Sequence, residues 1–564
     1  MKPHAVKQAM KAVCAAALLL GAPVQAQVRP DAGSLQRDLE QQPLEVPRAS
    51  PKLPSAPARP AHKGDETQRF TVSALKISGN TAFPAETLLA LVRADLVGKT
   101  VTLEQVREAA AKITAFYRER GHLVARAYIP AQRIAAGGAE IEIAVLEGTL
   151  GEVKIENRSR LSDGTIARFT GPLQPGAPLT MDTFERPILL LSDQSGVGGV
   201  SPVIKAGAST GLSDVALEAS RSPLVAGQVE ANNYGSRFTG AGLLTGQLGL
   251  LSPFGLGESV NVAFTESFDG LSSATLRGAI PLGGDGLKVG ASYIGTRYEL
   301  GEDFAALQAS GTARSASAFV TYPFVRRERW NLNATLSADG NRFEDRVALF
   351  DTFTSKEVRS GSFALGGDVR NPLAADSVLV WSVTVESGRL SIDQPEARAV
   401  DAATANTQGE YTKYSLALLY LHAFHRDWSV YASLLAQGAD KNLDSSEKFA
   451  LGGAQGVRAY PVGEAAGDQG ALGTLELRYA LPRLLGATPS IVLFVDAGRT
   501  RINKEPFTSG TNSRSLGAAG LGFTFAKASD FSLRAYLAGK TSDEAATSDT
   551  DRSSRAWLQA AKFF

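Results

Sequence analysis

The 564-residue sequence has a single cysteine, Cys14, only five histidines, and 58 basic residues balanced by 57 acidic ones. One thiol excludes a disulfide framework and a thiolate metal site. The histidines are His4, His62, His122, His422 and His425, and only the last two are close together. Strand positions three apart point to opposite faces, so "HAFH" makes a poor chelate. A net charge near zero excludes nucleic-acid binding by bulk electrostatics. The sequence contains no nucleophile elbow, phosphate loop or zinc-type cysteine cluster. These absences point away from an enzyme, with no catalytic residue, cofactor or metal expected. Beyond residue 26 there is no run of ~18 apolar residues, which excludes a helical membrane span there.

What is present begins with "MKPHAVKQAMKAVCAAALLLGAPVQAQ". Lys2, Lys7 and Lys11 precede an apolar run, and Val24-Gln25-Ala26 offers a signal-peptidase site. Residues 1–26 therefore read as a signal peptide that carries Cys14 away. Residues 27–69 hold a helix-capable piece, "DAGSLQRDLEQQ", and then "PLEVPRASPKLPSAPARPAHKG", whose prolines keep the backbone extended. On composition alone this stretch is a spacer.

The pattern changes at Phe70. "FTVSALKISGN" reads as a strand, "PAETLLALVRADLVGK" as a helix, and Thr102 with Gln105 as the capping box of a second helix. That helix shows Val106, Ala109, Ile113 and Phe116 on one face and stops at Gly121. "LVARAYIP" and "AEIEIAVLEG" follow as strands. Residues 70–148 are thus a small α+β domain, and residues 149–221 repeat its order of elements. From residue 222 to 564, windows such as "SSATLRGAIPL" and "SIVLFVDAGRT" alternate over about ten residues between polar turns. Roughly 340 residues at ~20 per strand and connection give about 16 antiparallel strands. A transmembrane β-barrel accounts for this pattern, with a soluble all-β domain as the alternative.

The motifs become specific at "LGGAQGVRAYPVGEAAGDQG", residues 451–470, and "IVLFVDAG", residues 491–498. With the two small domains, they resemble the two-partner secretion transporters, the haemolysin secretion/activation family ShlB/FhaC/HecB. That family lies within the superfamily that includes the assembly factor BamA. "GHLVARAYIPAQ" resembles a segment of the family's first POTRA domain, and "ANNYGSRFTGAG" with "LSPFGLGES" resembles its approach to the barrel.

The resemblance implies two POTRA domains in the periplasm and a barrel in the outer membrane of a Gram-negative bacterium. It implies a transporter, not an enzyme, that captures a large unfolded exoprotein of adhesin or haemolysin type and passes it through the barrel. A BamA-like assembly factor is the alternative, disfavoured by two POTRA domains rather than five. Its partners would be that client, the lipid bilayer and, during biogenesis, the outer-membrane assembly machinery, with the transporter itself a monomer. The family's inward-folded loop tip maps to Val457, Arg458, Ala459 and Tyr460, and its barrel partner to Asp496 and Gly498. Glu476 is a second candidate partner for Arg458. Ala459 replaces the usual glycine and would be strained by roughly 1 kcal/mol if that position needed positive φ. The helix within residues 31–42 is implied as a barrel plug. Client recognition by strand addition points to the edge formed by Leu123, Val124, Ala125, Arg126, Ala127, Tyr128 and Ile129.

Overall fold

The computed structural model describes residues 29–40, 46–47, 51, 69–133 and 138–564, so the predicted signal peptide and Cys14 lie outside the described residues. A nine-residue helix, α1 (Ala32–Glu40), comes first. The first α+β unit runs β1 (Arg69–Ser78), α2 (Ala85–Leu96), β2 (Thr100–Thr102), α3 (Leu103–Glu119), β3 (Arg126–Tyr128) and β4 (Ala139–Leu146). Its sheet has the order β2-β1-β4-β3, with β1 and β4 parallel at the centre. The expected capping box is formed: Thr102 N–H donates to Gln105 Oε1 at 2.9 Å, and Gln105 N–H donates to Thr102 Oγ1 at 3.4 Å. Val106, Ala109 and Ile113 pack inward against Ile141, Ile143 and Val145. Burial acts to raise the Glu147 carboxyl, but hydrogen bonds from Ala82 N–H, the Thr81 hydroxyl and N–H, and the Tyr117 hydroxyl outweigh it and hold the group below its ordinary value.

Two expectations change here. The short strand β2 was not foreseen, because three residues are too few to show a period. The predicted edge "LVARAYIP" contracts to Arg126–Tyr128. Leu123 and Val124 instead pack into the core of the second unit, and Leu123 N–H donates to Leu179 O at 3.3 Å. Ala127 N–H donates to Thr114 Oγ1 of α3 at 2.9 Å, so the central amide of this edge already has a partner.

The second unit consists of β5 (Thr149–Asn157), α4 (Asp163–Thr170), α5 (Met181–Ser192), β6 (Val197–Ala206) and β7 (Leu212–Arg221). The sheet order β5-β7-β6 leaves the ten-residue β6 at an edge. This unit docks on the near-end turns of the barrel. Arg326 grips Asp193 through Nε at 2.6 Å and Nη2 at 2.8 Å, and Ser162 N–H donates to Gly255 O at 2.9 Å.

Sixteen antiparallel strands, β8 (Val225–Asn232) through β23 (Ser554–Phe563), close into a barrel, which settles the choice against a soluble all-β domain. Alternation builds it: inward residues such as Tyr298, Phe343 and Val358 are buried, while Tyr293, Leu336 and Phe363 are exposed outward. The closing pair β8–β23 has only five registered positions, Gln559↔Asn232 to Phe563↔Gln228. Backbone bonds between Phe564 and Gly227, at 2.9 and 3.0 Å, lengthen it, and a Cβ on Gly227 would lie 2.6 Å from the Phe564 ring.

Helix α1 lies inside this barrel. Ala32 and Leu35 pack against Tyr298, Phe343, Val358 and Leu390 on the wall. Ala32 N–H donates to Asp345 Oδ1 at 2.9 Å and Thr296 Oγ1 donates to Gln36 Oε1 at 2.6 Å. Pro47 O, later in the chain than α1, accepts from Arg370 Nη2 at 3.1 Å beside a near-end turn. A cavity of about 570 Å³, lined by polar groups including Gln36, Arg37, Glu386 and Lys413, remains beside the helix. Because α1 fills lumen that water and ions would otherwise occupy, deleting residues 29–40 is expected to raise single-channel conductance in planar bilayers several-fold. Unchanged conductance would show that the helix does not obstruct the lumen.

Candidate functional site

Between β18 (Trp428–Ala439) and β19 (Gln469–Ala480), residues 440–468 fold back into the lumen. The tip is a tight turn in which Tyr460 N–H donates to Val457 O at 3.0 Å. Ala459 is not among the positive-φ residues, so the expected strain is absent and its methyl is fully buried. A turn with both central residues at negative φ accepts alanine as readily as glycine. The glycines of this loop supply close approach more than flexibility. A Cβ on Gly452 would meet Pro461 O at 2.1 Å, and one on Gly456 would meet Leu451 O at 2.0 Å.

Arg458 is 4 % exposed, and its guanidinium is held on all sides. Nε donates to Asp496 Oδ2 at 2.9 Å and Nη2 to Asp496 Oδ1 at 2.8 Å, the parallel fork geometry of a strong charge-assisted pair. Nη1 donates to Glu476 Oε1 at 2.7 Å, so Asp496 and Glu476 act together, where the sequence had offered them as alternatives. The Phe494 ring lies under the guanidinium, 3.5 Å from centroid to Cζ. Asp496 and Phe494 sit on β20 (Thr488–Arg501), and Thr474 and Glu476 on β19 lie directly opposite them. Strand alternation therefore turns all four side chains inward. Thr474 Oγ1 donates to Asp496 Oδ1 at 3.0 Å, and Arg478 Nε donates to Glu476 Oε2 at 2.8 Å. Two arginines thus face two carboxylates, and the buried cluster is neutral.

The remaining motif residues fill space. Val457, Ala459 and Tyr460 are buried with Leu451, Leu472 and Val492. Gly498 makes room for Leu451, whose Cδ2 would lie 2.6 Å from a Cβ there. Tyr460 OH donates to Glu544 O at 2.8 Å. The expected edge residues 123–129 lie in the α+β region and do not join this site.

Four contributors were missed. Trp557 on β23 donates from Nε1 to Arg458 O at 2.7 Å, tying the tip to the strand that closes the barrel. Inward alternation around Leu558 would have found it. Glu464 is fully buried and accepts from Thr547 N–H at 2.9 Å and Ser548 N–H at 2.7 Å, fastening the loop to the connection between β22 (Phe531–Lys540) and β23. Lys356 bridges Asp444 of the loop at 2.7 Å and Asp31 before α1 at 3.4 Å. Ser445 Oγ donates to Asp31 Oδ2 at 2.7 Å and Ser445 O accepts from Arg37 Nη1 of α1 at 2.9 Å, so the inward loop and α1 touch directly.

Residues 211–525, more than half of the chain, match the family described as haemolysin secretion/activation protein ShlB/FhaC/HecB, and residues 70–148 match the ShlB-type POTRA domain. The heme/hemopexin transporter protein HuxB of Haemophilus influenzae (strain 86-028NP) is 25 % identical, the match covering 92 % of this chain and 93 % of HuxB. The outer membrane transporter CdiB of Dickeya dadantii (strain 3937) is 23 % identical, over 81 % of this chain and 80 % of that protein. Among solved structures, CdiB from Escherichia coli superposes with a TM-score of 0.71 at 19 % identity, covering 100 % of this chain and 99 % of that one, and shares the fold. With a closed sixteen-stranded barrel, a POTRA domain and the Arg458–Asp496 fork in place, the chain belongs to the ShlB/FhaC/HecB family of outer-membrane two-partner secretion transporters.

Proposed function

We propose that this transporter works as a monomer, takes up a large unfolded exoprotein in the periplasm, and passes it through a lumen organised around Arg458. The observation that carries this reading is the buried fork of Arg458 on Asp496 with Glu476 as third partner. It supports a loop held at one fixed place inside the barrel, beside the space the client would cross. Helix α1 has to leave that space, and its polar contacts with Asp345, Thr296 and Ser445 are exchangeable for water. The client's folding outside the cell supplies the driving force.

For client capture we favour the edge β6 over β3. An extended client gains affinity from main-chain hydrogen bonds along an open edge. β6 is ten residues long, whereas β3 has three and its central amide is engaged. Gly196, just before β6, packs against Ser252 in a near-end turn of the barrel, so β6 begins at the pore mouth.

Arg458→Ala and Asp496→Ala are each expected to reduce client in the medium at least about tenfold while the barrel still reaches the outer membrane, because the first strands the buried Asp496 carboxylate and the second leaves two arginines to one carboxylate, an uncompensated buried charge worth about 3–5 kcal/mol in either case. Exchanging the two residues is expected to fail as well, since an aspartate at 458 would face Glu476. Secretion at wild-type levels by both single variants would refute the role. A cysteine placed at Val203 on β6 is expected to cross-link to a translocation-arrested client more efficiently than one at Arg126 on β3. The reverse ranking would return client capture to the first POTRA domain.

A further inference from the structure

The outward face of five consecutive strands carries a row of arginines that nothing in the transport reading uses. The strands are β12 (Leu287–Glu299), β13 (Ala309–Arg326), β14 (Trp330–Val347), β15 (Thr352–Arg370) and β16 (Ser377–Ile392). Arg297, Arg314, Arg342, Arg359 and Arg389 are all exposed. Each is the sequence neighbour of a lumen-facing residue packed in the α1 cluster: Tyr298, Ala313, Phe343, Val358 and Leu390. Alternation therefore points all five arginines outward.

Their register is the unusual part. Arg314 lies directly opposite Arg342, and Arg359 directly opposite Arg389. Arg342 faces Glu357, two residues from Arg359, and Arg297 faces Thr312, two residues from Arg314, so the five form one continuous row. Like charges directly opposed across a strand pair are destabilising unless something neutralises them. The nearby carboxylates do so only in part. Glu344 pairs with Arg342 at 3.1 Å, Asp393 lies 3.6 Å from Arg342, and Glu357 pairs with Arg359. Exposed pairs of this kind are worth little. Arg297, Arg314 and Arg389 have no ion pair among the described residues, although Glu410 of β17 (Gly409–Ala423) stands directly opposite Arg389.

The row also has a definite depth. On the same outward faces, toward the periplasm, stand Tyr293, Val320, Leu336, Phe363 and Val385, all exposed apolar residues. Trp330 and Phe324 mark the other limit of this band. Some ten residues of tilted strand, roughly 25 Å, separate the two limits, the height of the apolar band of an outer-membrane barrel. The arginines thus begin where the hydrocarbon ends, on the side away from the POTRA units. A guanidinium grips phosphate through two parallel hydrogen bonds.

We propose that this row binds the phosphorylated sugar headgroup of the outer leaflet's glycolipid, lipopolysaccharide, its phosphates bridging the opposed pairs Arg314/Arg342 and Arg359/Arg389. The site lies outside the lumen and is independent of client transport.

The test uses full-length transporter stripped of lipid and offered diphosphoryl lipid A, with dephosphorylated lipid A, phosphatidylglycerol vesicles and inorganic phosphate as comparators. Wild type is expected to retain diphosphoryl lipid A, and the variant R314Q/R342Q/R359Q/R389Q to retain about tenfold less or lower, with heat-modifiability unchanged. If the quadruple variant does not fold, R314Q/R389Q, which breaks no ion pair, is expected to show an intermediate loss. Equal retention by the folded variants would overturn the proposal. So would equal binding of phosphatidylglycerol or of dephosphorylated lipid A, or complete displacement of lipid A by inorganic phosphate at matched concentration.

Discussion

A cation buried inside a barrel is tolerable only when it is fully paired, and the middle of this structure is organised to satisfy Arg458. Asp496 takes two of its N–H groups, Glu476 a third, Phe494 its face, and Trp557 the carbonyl of its own peptide. Each partner comes from the wall, so the loop tip has one position in which no charge is stranded. The glycines at 452 and 456 then permit the backbone approach that this position needs. The rest of the loop follows from there, through Glu464 to the β22–β23 connection and through Asp444 and Ser445 to Lys356 and α1. Lumenal helix, inward loop and barrel seam are thereby joined by a short chain of polar contacts.

Much of this was legible in the residues, though unevenly. The capping box at Thr102 and Gln105 announced α3 because its chemistry is local, and the alternation of Ile141, Ile143 and Val145 announced β4 for the same reason. Asp496 was legible through its motif. Glu476 read as a rival to Asp496 because a linear reading assigns one acid per base, whereas a guanidinium has five donors to share. The edge at 123–130 reads too long because apolar residues belonging to a neighbouring unit's core look like strand residues: Leu123 is buried and Val124 partly buried across the junction. Ala459 read as strained because the turn's backbone angles are not written in its sequence.

The outward arginines were wholly invisible to sequence reasoning. Arg314 and Arg342 are far apart in the chain, and only the strand register makes them opposites. The contrast with Arg458 is physical. In the lumen, arginine is neutralised by carboxylates the chain supplies, and cross-strand position brings Glu476 and Asp496 to it. On the outer face the register sets cation against cation in two pairs, and three of the five arginines have no ion pair among the described residues. One residue type thus serves to fix a loop inside the barrel and to meet an anionic surface outside it.

The Arg458 ion cluster, and not the loop's packing alone, fixes the tip in the lumen. Spin labels at cysteines replacing Gln455 in the loop and Thr352 at the far rim would report their separation by pulsed electron paramagnetic resonance. A single narrow distance distribution is expected in the otherwise wild-type transporter and a broad or multimodal one when Arg458→Ala is added. A distribution equally narrow and unshifted in the Arg458→Ala protein would contradict it.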